Sequence, residues 1–453
     1  MNAQIENLKR KVYLIVITSL LVRVIIFFCL PNSASNLGPD EGQYAELVSW
    51  VSLDKPVSEY PLYGPTLYYS SRAIILPSVV INNLGLGPLN AIRLTATIYG
   101  VLIAIIVALM LFYIVKRDIK MSTFILKNEN LVLALFTAFV FLPSRFVWST
   151  LGLRESATEF WTIVAFLSLF ALMHLERTAI ILAISSLLIS CIMVYSSRPQ
   201  VGLVLSTSIF VYLAFRLNLR ISRMLIPVVL VGSLIGLALC STPTTTPTTT
   251  PTTTPTTTPT TTPTTTPTTT PTTTPTTTPK TIIEINFFKS VKNQIENLSE
   301  RHEANQVGAV SAIETLDCPI EVQSNSSEFL CVLWRLPYTT ATFVFRPLIG
   351  ADVVSTASLF AAIENLLWLL TLFFIVVMLI RNRRLAFFDV QFPSLIFFFI
   401  YTVGAGAYEG NMGTAFRHKS LILWVVILLI ASTIVATQQR KAQQQGISGS
   451  SQE

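Results

Sequence analysis

Long apolar stretches separated by short polar segments extend along this chain from Val12 to Ala436. Many of them approach or reach the roughly 17 to 25 apolar residues that a helix needs to cross a bilayer. The pattern therefore predicts an all-α polytopic membrane protein with about ten transmembrane helices. The predicted spans are Val12–Leu30, Thr95–Val115, Leu131–Val147, Ala157–Met173, Ala179–Tyr195, Val201–Phe215, Met224–Cys240, Ser358–Ile380, Phe388–Val403 and Ser420–Ala436.

Basic residues at the ends of these spans predict the orientation, because Lys and Arg favour the cytoplasmic side. With ten spans, the main basic clusters fall on one side, and both termini are predicted to be cytoplasmic. These clusters are Lys9 to Lys11, Lys116 to Lys127, Arg216 to Arg223, Arg381 to Arg384, and Arg440 with Lys441. Four polar stretches then share the outer face, where we expect the function to lie: Pro31–Leu94, Ser144–Ser156, Ser196–Gln200 and Tyr408–Lys419.

A low-complexity insertion divides the chain, since Pro-Thr-Thr-Thr repeats from Thr242 to Lys280. Such a tract has no apolar face to bury and is predicted to be an extended or disordered linker. It is interpreted either as an O-glycosylated stalk or as a copied DNA repeat that a loop tolerates. In the segment after it, Cys318 and Cys331 are candidates for a disulfide. The predicted regions are 1–240 with about seven spans, the linker 241–280, an extracytoplasmic segment 281–357, a membrane region 358–436 with about three spans, and a cytoplasmic tail 437–453.

The composition excludes several classes of protein. Only 12% of the residues are charged, against about 25% in a soluble domain. The excess of 31 Lys and Arg over 24 Asp and Glu gives a net charge of +7, which the cytoplasmic loops explain without nucleic acid as a partner. Five Cys and three His without CxxC or HxxxH spacing argue against a structural zinc or iron–sulfur site.

The first outer loop carries the adjacent carboxylates Asp40 and Glu41. Tyr44, Leu47 and Val48 follow them at the spacing of an amphipathic helix. One interpretation is local, with Asp40 as the N-cap of this helix. The other is chemical, with a carboxylate pair that serves as general base or metal ligand at the membrane surface.

The other outer stretches carry further charged candidates. Arg154 and Glu155 either form a local ion pair or belong to a site, and Arg198 either extends toward the headgroups or binds an anion. The run Arg417-His418-Lys419 opposes the positive-inside trend, so it is a candidate for binding an anionic substrate or anionic lipid headgroups. Glu409, at the edge of an apolar span, is a functional candidate because ionisable groups are expensive there.

In its long first outer loop with Asp40-Glu41 and a following amphipathic helix, the chain resembles the GT-C superfamily of polytopic glycosyltransferases. This superfamily includes the protein mannosyltransferases and the lipid A aminoarabinose transferases. The motifs around Arg154-Glu155, Ser197-Arg198-Pro199 and Glu409 to Lys419 resemble outer-face motifs of bacterial polysaccharide-associated glycosyltransferase-like proteins. The resemblance covers about 1–240 and 358–436 and excludes the repeat and 281–357.

The resemblance implies catalysis by Asp40, together with Glu41, with Asp40 as the base that deprotonates the acceptor hydroxyl. It implies a polyprenyl-phosphate-linked sugar as donor, a glycan, lipid or protein as acceptor, and the bacterial inner membrane as the location. The phosphate would be bound by Arg154, Arg198, Arg417, His418 and Lys419, with Glu155 beside them. No cofactor is firmly implied; a divalent metal ion stays open, because Glu155 is the one obvious second acidic candidate near a matching motif.

Three other classes of function fit part of the pattern. A polymerase or ligase of lipid-linked surface polysaccharide uses similar arginines but has no need of Asp40-Glu41. A transporter is disfavoured because no inverted repeat is visible and most ionisable groups gather at the outer interface. A non-catalytic anchor that displays the Thr/Pro tract explains the repeat but not the polar motifs on one face.

Overall fold

The computed structural model describes residues 2–31, 40–61, 64–117, 123, 125–174, 177–216, 328–353, 355–381 and 391–427. Within these ranges the long regular elements are all α-helices and no strand occurs, which confirms the predicted all-helical class. The α-helices are α1 (Asn2–Cys29), α2 (Asp40–Ser52), α3 (Gly64–Tyr69), α4 (Arg72–Ile81), α5 (Pro88–Arg117), α6 (Glu129–Phe141), α7 (Pro143–Trp148), α8 (Glu155–His174), α9 (Arg177–Ser197), α10 (Pro199–Arg216), α11 (Glu328–Phe345), α12 (Thr356–Arg381), α13 (Gln391–Tyr408) and α14 (412–427).

Four of the described helices are long and apolar enough to cross a membrane, in agreement with a membrane protein. The candidate spans are Ala3–Cys29, Pro88–Phe112, Glu155–Leu172 and Ile180–Ser197. Ten spans therefore stay a prediction. The predicted span Met224–Cys240, the 241–280 linker, most of 281–357, and the tail 437–453 lie outside the described residues.

The predicted span Leu131–Val147 is divided into two helices, α6 and α7. Leu142 has φ −53° and ψ 122°, since a residue before proline is disfavoured in the helical region, and Pro143 starts α7. The break exposes the first turn of α7, whose Ser144 donates its backbone N–H (2.8 Å) and its hydroxyl (2.5 Å) to Glu364 of α12. The division of this span thus creates a connection between the N-terminal and C-terminal membrane regions.

A second difference from the sequence prediction is α11, a helix of 18 residues in a segment that is polar for most of its length. It packs against α13. Cys331, in its first turns, is disulfide-bonded. The predicted partner Cys318 lies outside the described residues.

The amphipathic helix predicted after Asp40 is present as α2. Tyr44, Leu47 and Val48 are buried on one face, as the spacing predicts. This face packs against α4 and α5. The burial of these apolar side chains fixes α2 on the helix bundle with Asp40 at its first residue.

Glu41 fixes the same end of α2 by a buried ion pair. Its carboxylate accepts two hydrogen bonds from Arg93 of α5, at 2.6 and 2.9 Å, and both side chains are fully buried. It also accepts the backbone N–H of Gly152 at 3.0 Å. A Cβ at Gly152 would lie 2.4 Å from the Cγ2 of Ile92, so the turn requires glycine for this close approach. Glu41 therefore holds α2, α5 and the turn before α8 in one arrangement.

We predict that Glu41→Leu lowers the free energy of unfolding by about 3–5 kcal/mol, because it leaves the Arg93 guanidinium buried without its carboxylate. The double variant Glu41→Leu with Arg93→Met removes both charges and should recover a large part of this loss. Unfolding of the purified chain in detergent, followed by circular dichroism, measures both changes. An equal loss of unfolding free energy in the single and double variants would contradict a buried ion pair of Glu41 with Arg93 that stabilises the fold.

Candidate functional site

The side chains at the motifs that the sequence predicts for the outer face converge on Glu155, the first residue of α8. Its Oε1 atom accepts a hydrogen bond from Arg198, which lies between α9 and α10. The same oxygen lies 3.1 Å from Nε of Arg417 and 3.8 Å from Nε2 of His418, both in α14. The Glu155 side chain is only 3% exposed. A single buried carboxylate thus joins three segments that are far apart in sequence. We use the name Glu155 cluster for Asp40, Arg154, Glu155, Arg198, Glu409, Arg417 and His418.

Asp40 forms the accessible edge of the cluster. Its Oδ2 lies 3.0 Å from NH1 of Arg417, the arginine that also contacts Glu155. The Asp40 side chain is 37% exposed, in contrast to the buried Glu155. Arg417 therefore connects a buried carboxylate to one that a solute can reach.

Glu409 orients His418. The Nδ1 atom of His418 contacts Oε1 of Glu409, and the hydroxyl of Thr414 donates to Oε2 at 2.7 Å. Because an ionised carboxylate accepts hydrogen bonds, this contact places a proton on Nδ1 and turns Nε2 toward Glu155. Glu409 and His418 thus belong to the same cluster as the arginines.

Arg154 differs from Arg198 and Arg417 in its contacts. Its NH1 group donates to the hydroxyl and the carbonyl of Ser70, at 3.2 and 3.3 Å, and both acceptors are neutral. Its Nε atom is buried and has no hydrogen-bond partner among the described residues. Burial lowers the pKa of Arg154, and burial also raises the pKa of the neighbouring Tyr44 hydroxyl. Arg154 is therefore the arginine of the cluster best placed to accept an anionic partner.

Two of the predicted site residues face away from the cluster. Glu41 is paired with Arg93, one residue away from Asp40 but on another side of α2. Lys419 donates to the carbonyls of Val344 (3.0 Å) and Arg346 and to Oδ1 of Asn365 (2.8 Å). Glu41 and Lys419 therefore hold the structure around the cluster in place, and none of these contacts is with a residue of the cluster.

A second layer of buried charged groups lies one helical turn further toward the C-terminus of α8. Glu159 lies 2.5 Å from Nε of Arg145 in α7, and both side chains are buried. Arg23 lies within the predicted span Val12–Leu30 and donates a hydrogen bond to the hydroxyl of Ser149 at 3.2 Å. Glu155 and Glu159 are i and i+4 on one helix face, so the two layers are stacked. That spacing was the available sequence signal for this second carboxylate.

Guanidinium groups outnumber carboxylates among the described residues of the two layers. With His418 counted as neutral, the named groups include five guanidinium groups and four carboxylates in a largely buried region. The guanidinium groups belong to Arg23, Arg145, Arg154, Arg198 and Arg417, and the carboxylates belong to Asp40, Glu155, Glu159 and Glu409. Guanidinium groups match the oxygen atoms of an anion with several N–H donors at once, so the arrangement favours an anion as ligand.

A divalent cation fits the cluster poorly. The carboxylates of Asp40 and Glu155 both face Arg417, and that of Glu409 faces His418. Within the part of the chain that the structure describes, no three His, Cys, Asp or Glu side chains converge as metal ligands. We therefore assign no step to a metal ion.

The sequence predicts that most of the cluster lies on one face, but it gives Ser70 and Tyr44, which accompany Arg154, no role in a site. Neither residue has a distinguishing motif, so only the packing of α2 and α3 brings them there. No family model, no characterised protein and no solved structure matches this chain.

Proposed function

We propose that the chain is a membrane glycosyltransferase that moves a sugar from a polyprenyl-phosphate donor to an extracytoplasmic glycan, lipid or protein acceptor. The observation that carries this proposal is the position of Asp40. It is an accessible carboxylate fixed by Arg417 at the edge of a buried cluster that is rich in arginine. The arrangement supplies a proton acceptor and a site for an anion side by side, as the transfer requires.

The donor phosphate would bind beside Arg154 and Arg417. Arg154 has only neutral partners among its described hydrogen bonds, and a planar guanidinium matches two phosphate oxygens at once. The surplus of guanidinium groups over carboxylates among the described residues supports an anionic ligand, and Coulomb attraction is stronger in this partly buried setting than in bulk water. Arg198 and His418, both in contact with Glu155, would complete the electrostatic surroundings.

In the proposed reaction Asp40 accepts the proton of the acceptor hydroxyl while the hydroxyl oxygen bonds to the anomeric carbon. The bond from that carbon to the phosphate oxygen breaks, and the phosphate leaves with the electron pair. A phosphate is a weak base, so departure needs no proton donor, unlike the two-carboxylate arrangement of glycoside hydrolases. Stabilisation of the developing negative charge by fixed donors then becomes the main requirement.

A polymerase or ligase of lipid-linked polysaccharide is the second candidate. The observation that favours it is the number of guanidinium groups near Glu155, which suits a diphosphate as well as a monophosphate. Asp40 has no required part in that chemistry. The rate of sugar transfer by an Asp40→Asn variant therefore separates the two candidates.

We also propose the full topology of ten spans in the bacterial inner membrane, with both termini cytoplasmic and the Glu155 cluster at the outer surface. The distribution of basic residues supports it. Membrane lipids and a lipid-linked sugar are the partners that this location implies.

The topology predicts that Ser122 is cytoplasmic and Thr260 lies outside. A membrane-impermeant thiol reagent applied to intact cells should label Thr260→Cys and spare Ser122→Cys, and both should react after the cells are permeabilised. The parent chain treated in the same way corrects for its native cysteines. Labelling of Ser122→Cys in intact cells would reverse the orientation and place the cluster on the cytoplasmic side.

Asp40→Asn should retain the fold and donor binding but lose sugar transfer by about 10² to 10⁴-fold, the usual contribution of a general base. Asparagine preserves the size and much of the capping ability of aspartate at a helix start. Glu46→Gln is the matched control, because Glu46 is an exposed carboxylate on the same helix that contacts Tyr60 and not the cluster. Transfer by Asp40→Asn at the wild-type rate would favour the polymerase or ligase.

Arg154→Gln should weaken the binding of polyprenyl phosphate by about 10- to 100-fold, since a hydrogen bond to a charged group contributes about 1.5–3 kcal/mol. Arg72→Gln is the control, because Arg72 lies over the ring of Tyr69. Equilibrium binding of a fluorescent polyprenyl phosphate to the detergent-solubilised chain measures both affinities. Equal affinities of the two variants would remove Arg154 from the phosphate site.

A further inference from the structure

The loop between α11 and α12 combines irregular backbone with an apolar surface. Phe345, Leu348 and Ile349 expose 51%, 42% and 53% of their surface. Gly350, with φ +89°, turns the chain after them. We call residues 345–350 the apolar loop.

The backbone carbonyls that lead into the apolar loop are satisfied by the protein itself. The donors are two buried side chains, Lys419 and Asn365, and two backbone N–H groups. Lys419 donates to the carbonyls of Val344 and Arg346, Asn365 donates to those of Phe345 and Pro347, and the N–H groups of Ala351 and Asp352 donate to that of Leu348. From Val344 to Leu348, every carbonyl oxygen thus accepts a hydrogen bond from within the chain.

A loop in water does not require such satisfaction, because solvent supplies the missing hydrogen bonds. In hydrocarbon an unsatisfied carbonyl is costly, and irregular backbone at that depth occurs where surrounding protein groups bury and satisfy it. The carbonyls from Val344 to Leu348 meet this requirement, while the side chains of Leu348 and Ile349 are exposed. The charges of Arg346 and Asp352 also neutralise each other in a bidentate ion pair, at 2.6 and 3.1 Å.

The depth of the loop along α12 gives independent support. Asn365, which holds the carbonyls of Phe345 and Pro347, lies about 14 Å from the first residue of α12 at about 1.5 Å per residue. The helix has 26 residues and is therefore about 39 Å long, against about 30 Å of hydrocarbon. Even if all the surplus of about 9 Å extended outside, Asn365 would lie about 5 Å within the hydrocarbon.

We propose that the apolar loop is a re-entrant segment, embedded in the outer leaflet with Leu348 and Ile349 in contact with lipid acyl chains. This moves the C-terminal part of the predicted extracytoplasmic segment 281–357 from water into the membrane. Lys419, which donates to the carbonyls of Val344 and Arg346, directly follows His418. The loop therefore lies beside the Glu155 cluster and faces lipid. The proposal depends on α12 crossing the membrane and is independent of the reaction proposed above.

The test places an environment-sensitive fluorescent amino acid at Ile349, and separately at Leu348, in the full chain reconstituted into phosphatidylcholine vesicles. Both positions are exposed, so the substitution does not disturb the packed interior. Vesicles with brominated acyl chains report contact with hydrocarbon, and aqueous iodide reports contact with water. We expect strong quenching by the brominated lipid and little by iodide.

Two control positions show the quenching expected of a side chain in lipid and of a side chain in water. Leu370, 56% exposed on α12, should be quenched by brominated lipid. Ser58, exposed in the first outer loop, should be quenched by iodide. Quenching of Ile349 and Leu348 by iodide, as at Ser58, would show a water-exposed loop and overturn the proposal. Protection from both quenchers would show that another part of the protein covers the loop and would overturn it equally.

Discussion

The buried carboxylate of Glu155 is the constraint on which the rest of the described site depends. In a weakly screened environment a carboxylate is stable only with positive partners close by, and Arg198 and Arg417 supply them from two distant segments. Arg417 is thereby placed beside Asp40 as well. The contact of the accessible carboxylate with Arg417 therefore accompanies the neutralisation of the buried one.

Neighbouring residues in this chain have separate tasks, and the geometry of helices explains why. Asp40 and Glu41 project from α2 about 100° apart, so one reaches Arg417 and the other reaches Arg93. The same rotation turns Lys419 away from Glu155 while Arg417 and His418 face it. In both runs, the residues that face the cluster contribute to it and the neighbour that faces away holds the surrounding structure in place.

The positions of the long apolar helices could largely be predicted from the sequence, because apolar length and periodicity are local properties. The shared location of Asp40, Arg154, Arg198 and Arg417 could also be anticipated, since the predicted orientation puts them on one side. Pairings could not be predicted, because they depend on how helices far apart in sequence pack together. The contact of Glu155 with Arg417, the pairing of Arg145 with Glu159, and the break at Pro143 in a continuous apolar run all depend on tertiary contacts.

The hydrogen bonds from Ser144 to Glu364 have a consequence for biogenesis. In the proposed ten-span topology α12 crosses the membrane, and an ionisable side chain such as Glu364 opposes the insertion of an apolar helix, by about 2.5–3.5 kcal/mol when it lies near the bilayer centre. The chain is synthesised from its N-terminus, so the start of α7 already exists, with its donors, when α12 leaves the ribosome. In that topology the start of α7 offers Glu364 hydrogen-bond donors that lipid lacks, so docking of α12 on the N-terminal region lowers its free energy relative to insertion in lipid alone.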